Sequence, residues 1–324
     1  MGCCTSSCFN YFNKSSIIKY VALKLPHGSK GIEYCEQTGG FIHCDINTWL
    51  SQLYLNSEWT NWQIYNDETG HIIDEPENIH HKKGHCKGIV AWNNKRISWL
   101  CHSLPNFPKF FDGKIISDIE SGELIYGQSF QYIEIDYSEE MIINIIKQLH
   151  IMEANIFISN SGNSASGGRD NFINDCQILE QIKITNLKQN WWQGGCIPLK
   201  LSNTITHIAK PPYCHIDIYS DYLVKEYNHL WKVETWIRGH HILEEPLSEI
   251  SLDSSPKIID ITSLQFEDIK WTEKQDHSKW ATTSPESHYW IGDLNRMTSQ
   301  YKRGGGGFIC MDQNIASAFN KLIK

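Results

Sequence analysis

Asp276-His277-Ser278-Lys279-Trp280 is the stretch that decides the reading of this chain. It is followed by Ile291-Gly292-Asp293-Leu294-Asn295-Arg296 and then by Arg303-Gly304-Gly305-Gly306-Gly307. Along a β-strand side chains alternate between faces, so His277 and Lys279 are expected to point the same way. An imidazole able to attack or to carry a proton then lies beside a fixed ammonium. That pairing suits a phosphodiester, which needs a nucleophile or acid together with cations on its non-bridging oxygens. One His-x-Lys triplet carries little information. The triplet recurs, however, at Gly84-His85-Cys86-Lys87-Gly88, followed by the apolar run Ile89-Val90-Ala91-Trp92. Two such copies far apart in the chain predict two halves of one site.

Other segments accompany the triplets: Leu23-Lys24-Leu25-Pro26, Tyr65-Asn66-Asp67 and Trp99-Leu100-Cys101-His102-Ser103-Leu104-Pro105-Asn106-Phe107-Pro108. Tyr126-Gly127-Gln128-Ser129-Phe130 and Asp217-Ile218-Tyr219-Ser220 complete the set. In order and spacing, together with the triplets, they resemble the deoxyribonuclease II family of acid endonucleases related to phospholipase D. The resemblance runs over roughly residues 18 to 324.

It implies an α/β, phospholipase D-like fold of two pseudo-symmetric halves, each a mixed β-sheet flanked by helices, with the site in the seam. It also implies a metal-independent acid endodeoxyribonuclease that needs no cofactor and takes DNA as its partner. Cleavage would pass through a phosphohistidine and leave 3′-phosphate and 5′-hydroxyl ends. His85, Lys87, His277 and Lys279 would be the catalytic residues, with the choice of attacking histidine open. In phospholipase D relatives the segment after the second strand orients the histidines and contacts phosphate. That role would fall to His102 and Ser103 in one half and to Asp293 and Asn295 in the other. Two other classes stay open: a lipid phosphodiesterase on the same fold, and a non-catalytic DNA-binding relative.

At 324 residues, 40% hydrophobic and 12% aromatic, the chain has the composition of a globular protein, not a disordered one. No run of 18 apolar residues is present, so no membrane-spanning helix is expected. A formal net charge of −8 argues against a nucleic-acid partner until the 15 histidines are considered; protonating all of them would turn the balance to +7. With an ordinary imidazole value of about 6.5, much of that change is expected between pH 7 and 5.

Met1-Gly2-Cys3-Cys4-Thr5-Ser6 has no apolar core of a signal peptide. It fits an N-myristoylation pattern at Gly2 with Cys3 and Cys4 placed for palmitoylation, so membrane association through acyl chains is expected. Eleven cysteines are present, three of them crowded at the N-terminus, and Asn13 heads the one glycosylation sequon. The paired cysteines that the resemblance implies are not filled: Tyr132 stands at one position, none flank Ala281 to Trp290, and Cys310 has lost its partner. This set fits a reducing compartment, cytoplasmic or membrane-anchored, better than a lysosomal or secreted one. Asn93 stands where relatives often carry an Asp after the first triplet.

In chain order, residues 1–14 read as a tail and 15–324 as one catalytic unit. A first half spans 15–160 and a second half 169–324, divided at the Ser/Gly/Asn-rich stretch Asn160 to Gly168. Strands are expected at Ile17–Leu25, Trp62–Tyr65, Gln131–Ile135 and Leu230–Ile237. Gly88–Trp92 and Arg96–Cys101 read as a hairpin turning at Asn93-Asn94-Lys95. Ser138 should cap a helix whose Met141, Ile142, Ile145, Ile146 and Leu149 form one apolar stripe, and Ile315, Phe319 and Leu322 mark a C-terminal helix. Cys86 should pack, being on the face opposite His85 and Lys87. His80, His81 and His85 make a poor zinc set because adjacent side chains diverge. Trp191-Trp192 could stack on bases. The glycine run lacks the Lys-Ser/Thr of a P-loop and reads as a close strand approach, or as a phosphate nest beside Lys302 and Arg303.

Overall fold

The structure is a computed structural model that describes residues 17–54, 59–68, 84–111, 114–116, 119–159, 195–237 and 258–324. Gly2, Cys3, Cys4, Asn13, the proposed linker, His80, His81 and Trp191-Trp192 lie outside these.

The first part of the chain contributes β1 (Ile18–Lys24), β2 (Lys30–Cys35), β3 (Gly40–Asp45), β4 (Asn61–Asn66) and β5 (Lys87–Trp92). It continues with β6 (Arg96–His102), β7 (Lys109–Phe111), β8 (Lys114–Ile116), β9 (Gln128–Asp136) and β10 (Ile156–Ser159). The second part contributes β11 (Ile197–Lys200), β12 (Ile205–Lys210), β13 (Leu230–Glu234), β14 (Ile258–Asp260) and β15 (Ser263–Phe266). It ends with β16 (Ile269–Thr272), β17 (Trp280–Ser284), β18 (His288–Gly292) and β19 (Gly305–Met311). The helices are α1 (Ile46–Tyr54), α2 (Glu139–Ile151), the short α3 (Val224–Tyr227) behind a wider turn at Ile218–Leu223, and α4 (Gln313–Asn320).

Two large sheets result. One has eight strands in the order β10-β4-β5-β6-β9-β1-β2-β3, and the other seven in the order β11-β12-β19-β18-β17-β13-β14. Neighbours run antiparallel throughout, except the parallel pair β13 and β14. The run β4-β5-β6-β9-β1 matches β13-β17-β18-β19-β12 strand for strand. In each run the second strand follows a His-x-Lys triplet, and the fourth leads into a helix, α2 or α4.

The apolar pattern explains the layering. Alternate residues of β6 face opposite ways: Ile97, Trp99 and Cys101 enter the layer between the sheets, whereas Leu100 joins the outer face. The inner layer also takes Ile142, Ile145, Ile146 and Leu149 of α2 and Ile315, Ala316 and Phe319 of α4. The two inner helices, α2 and α4, pack across the seam. α2 lies on β11 and β12 of the other sheet, and α4 reaches β3 as well as β17 and β18. On the outer faces, α1 lays Trp49, Leu50 and Leu53 on Ile64, Ile89 and Phe130, while Ile218, Tyr219 and Leu223 cover Trp231, Ala281 and Trp290. Central strands are therefore covered on both sides, and every residue of β5 and β18 is buried. A strand buried on both faces reads as a continuous apolar run, which is how Ile89-Val90-Ala91-Trp92 reads. Burying each of the large side chains here contributes about 2–3 kcal/mol.

Local signals act as expected. Ser138 accepts a hydrogen bond from the Met141 N–H at 3.1 Å, and Asp312 caps α4 through the Asn314 and Ile315 N–H groups. Asn93 Oδ1 takes the N–H groups of Lys95 and Arg96, both at 2.8 Å. The departure at Asn93 thus sits in the hairpin turn, at the end of β5 away from Lys87. All seven cysteines among the described residues are free thiols.

Candidate active site

The triplets do not sit inside strands, as alternation alone predicted. Only Lys87 belongs to β5, and His277 to Lys279 form the extended lead-in to β17. The reason lies across the seam, where each lead-in pairs with the opposite half. His85 N–H donates to Gly304 O at 2.7 Å, and His277 N–H donates to Gly127 O at 2.9 Å. Gly127 and Asp276 form a parallel bridge, so the two halves interlock at the triplets. Glycine is required at these contacts: a Cβ on Gly127 would come within 2.5 Å of Asp276 Oδ1, and one on Gly304 within 2.1 Å of Met152 O. The glycine run is accordingly the close-packed start of β19, and its first reading stands over the phosphate nest. The parity of alternation survives. Cys86 is fully buried in the inter-sheet layer, and burial pushes its thiol far up, so it packs and does not react.

The second contact of each lead-in uses its lysine. Lys87 N–H donates to Asp293 Oδ1 at 3.2 Å, and Lys279 N–H donates to Ser129 Oγ at 3.1 Å. Beyond the backbone, the two ammonium groups differ. Lys87 Nζ lies 2.5 Å from Asp67 Oδ1, with Glu68 at 3.7 Å, and the other oxygen of Asp67 accepts from Arg303 at 2.8 Å. Burial alone would lower the Lys87 pKa, but Asp67, Glu68 and Asp293 together outweigh it and the net shift is upward. Against burial, which would raise it, the Asp67 pKa is held below the carboxylate range by the fixed cations Lys87 and Arg303. Lys279 Nζ instead donates to the His277 carbonyl at 2.5 Å; burial first and Lys87 second bring it down to about 8.

The histidines also differ. His85 is 9% exposed, and burial, followed by the charge of Lys87, holds its pKa well below 6.5. Arg303 and Lys279 act on it in the same direction, which locates both triplets in one electrostatic site. Its Nδ1 has no hydrogen-bond partner among the described residues. The ring of His277 stacks on Tyr126 at 3.9 Å and 12° and touches Trp236 at 4.2 Å, and its Nδ1 is 3.9 Å from Glu123 Oε2.

The four residues expected to orient the histidines are placed as follows. Asp293 is buried, reaches Lys87 through its backbone, and has its pKa raised to about 7 by burial. Ser103 donates to Gln128 Oε1 at 2.6 Å and accepts from Ser129 N–H at 2.9 Å, which links it to His277 through Gln128 and Glu123. His102 points to the outer face, with Phe107 edge-on at 5.1 Å and Phe130 at 6.2 Å; burial and then Lys87 bring it to about 3. Asn295 is buried, and its Oδ1 has no hydrogen-bond partner among the described residues.

Sequence reasoning placed Arg303 only beside a possible phosphate nest and assigned no role to Asp67, Glu123, Gln128, Tyr126 or Trp236. All but Trp236 stand in or beside segments singled out above, but only the folded chain tells which side chain meets which lysine or histidine. The acid charge swing is also smaller than a count of histidines implies. Burial holds His85 and His288 down and brings both His102 and His207 to about 3.

One set of donors among the described residues is close enough for a metal ion: Asp67, Glu68 and His85, within 4.8 Å of one another. Asp67 is already flanked by two fixed cations, Lys87 and Arg303, which a divalent ion would have to displace.

The family model for deoxyribonuclease II matches residues 24–324. Among curated proteins the chain is 23% identical over 281 residues to cell-death-related nuclease 7 of Caenorhabditis elegans, covering 86% of this chain and 72% of that one. It is 29% identical over 282 residues to deoxyribonuclease-2-beta of Mus musculus, covering 84% and 73%. It is 26% identical over 301 residues to deoxyribonuclease-2-alpha of Bos taurus, covering 91% and 76%. With two interlocked His-x-Lys lead-ins at the seam and a family match across nearly the whole chain, the protein belongs to the deoxyribonuclease II family.

Proposed function

We propose that this chain is an endodeoxyribonuclease that hydrolyses DNA phosphodiesters in acid without a metal ion, on a phospholipase D-like fold. The observation that carries the reading is the reciprocal pairing of His85 with Gly304 and of His277 with Gly127, which joins two His-x-Lys triplets at one seam.

The surroundings divide the labour. His85, kept neutral by burial and by the cations around it, is the nucleophile. Its ring nitrogen bonds to phosphorus, the bond to the 5′-oxygen breaks, and His277, with Glu123 beside it, gives that oxygen a proton. Water then attacks phosphorus, passes its proton to His277, and the phosphorus–nitrogen bond breaks to release a 3′-phosphate. Lys87, Lys279 and Arg303 stabilise the charge on the non-bridging oxygens. Because His85 loses its proton well below pH 6.5, the acid limb of the rate profile lies far down. The alkaline limb belongs to the group that donates the proton to the 5′-oxygen.

Plasmid nicking in EDTA from pH 4 to 8, with end-group analysis, tests the activity; a flat profile, or nicking lost on chelation, would sink it. DNA with sulfur in place of the 5′-bridging oxygen tests the roles, because a thiolate leaves without an acid. In a single turnover, which reads strand cleavage before His277 is needed to activate water, His277→Ala should lose about 10²–10⁴-fold on the oxygen substrate and far less on the sulfur one, whereas His85→Ala should lose both.

A further inference from the structure

Each sheet ends a central strand on a buried lysine that neither triplet uses. Lys24 closes β1 and Lys210 closes β12, and both are 1% exposed. β1 and β12 are the matching fifth strands of the two strand runs. Lys24 Nζ donates to Tyr126 O at 2.5 Å, and to Leu124 O and Leu25 O at 3.0 Å. Lys210 Nζ donates to Arg303 O at 2.5 Å and Gln300 O at 3.1 Å. Tyr126 and Arg303 each end a single 3₁₀ turn, Ser121–Ile125 and Thr298–Lys302, and each gives its carbonyl to the lysine of its own half. Immediately after them come Gly127 and Gly304, the glycines that receive the histidine N–H groups of the opposite half.

We propose that Lys24 and Lys210 are a matched pair of positioning residues, each fixing the turn of its own half against the catalytic histidine of the other. Lys24 acts on His277, because its turn carries Glu123, Tyr126 and the Gly127 carbonyl. Lys210 acts on His85, because its turn carries Arg303 and the Gly304 carbonyl. A buried ammonium held by two or three carbonyl acceptors is a costly way to close a turn unless the place of that turn matters. The device occurs twice, at equivalent points and in the same relation to a catalytic histidine, which a general contribution to folding does not explain. Burial lowers the pKa of both lysines, which fits ammonium groups held by neutral carbonyls.

The inference rests on the proposed function, and the experiment separates the two. Lys24→Met and Lys210→Met are compared with His277→Ala and His85→Ala on the oxygen and sulfur substrates, reading kcat and KM separately. Lys24→Met should lower kcat about 10–100-fold with little change in KM, and its ratio of oxygen to sulfur rates should move in the direction of His277→Ala. Lys210→Met should move with His85→Ala. This matching holds whichever histidine turns out to attack, so a wrong assignment of roles leaves it standing. Lysine variants that lower both rates only in proportion to folded protein, or that follow the histidine of the other pair, would overturn it. Lys24→Gln and Lys210→Gln retain a donor and serve where a methionine variant does not fold; they should show the same pairing at smaller amplitude. In wild type and variants, the imidazole resonance of His277 should respond to position 24 and that of His85 to position 210. Equal responses of both rings to either change also count against the pairing.

Discussion

Lys87 and Lys279 head matching strands, and each gives its backbone N–H to the opposite half, but their ammonium groups stand in different surroundings. In the first half, the residue two beyond Tyr65 is Asp67, which neutralises Lys87 and holds Arg303. In the second half, Glu234 matches Tyr65, so the equivalent of Asp67 is Trp236, an aromatic ring against His277. One half is thus an internally paired scaffold around a neutral, buried His85. The other offers a cation with no salt bridge among the described residues and a histidine held between rings. A pseudo-symmetric framework can carry unlike chemical roles because a single substitution at one register position changes the field on the neighbouring lysine by a full charge.

The comparison can be broken first at position 67. Asp67→Ala would leave two cations around a buried vacancy and should destabilise the fold by about 3–5 kcal/mol in denaturant titrations. Trp236→Ala at the matching position should lose about 1–2 kcal/mol. The reverse ranking would mean that Asp67 is not the scaffold.

Next, Lys279→Met should lower kcat about 10²–10³-fold, the loss typical of a transition-state donor, while leaving the melting temperature unchanged or higher. Lys87→Met should lower both, because it leaves Asp67 without its nearest partner. Equal effects of the two on melting would remove the distinction drawn here.

A smaller effect concerns Asp293. Its folded pKa of about 7 lies above the ordinary carboxylate value, so folding favours its protonated form. The stabilisation is therefore full below about pH 4 and is lost as pH rises through 7, about 2 kcal/mol between pH 5 and 7. Asp293→Asn should remove that slope from stability measured against pH; an unchanged slope would contradict the burial assigned to this carboxyl. The smallest effect is expected at His102, packed between phenylalanines. His102→Leu should change kcat less than about threefold, and a loss near that of the triplet histidines would restore it to an orienting role.

Some of this was legible in residue order. The repeated His-x-Lys triplet implied two halves and one seam, and Ser138, the apolar stripe of α2 and the hairpin at Asn93 were readable because they depend on neighbours a few residues apart. Parity also held for Cys86. The strand placement of the triplets failed for a physical reason: their backbone hydrogen bonds go to Gly304 and Gly127, in segments no local pattern connects to them. Counting histidines failed similarly, since burial decides whether an imidazole titrates.

What the sequence by itself determined is the inventory and its duplication: two imidazoles, two ammonium groups and the apolar runs that carry them. Only the tertiary structure decided which charges are paired. Asp67 with Lys87 and Arg303, Glu123 and Tyr126 with His277, and Lys24 and Lys210 under the two turns are meetings of distant residues. Their distances set the electrostatics, because Coulomb interaction and desolvation depend on separation in space and not along the chain.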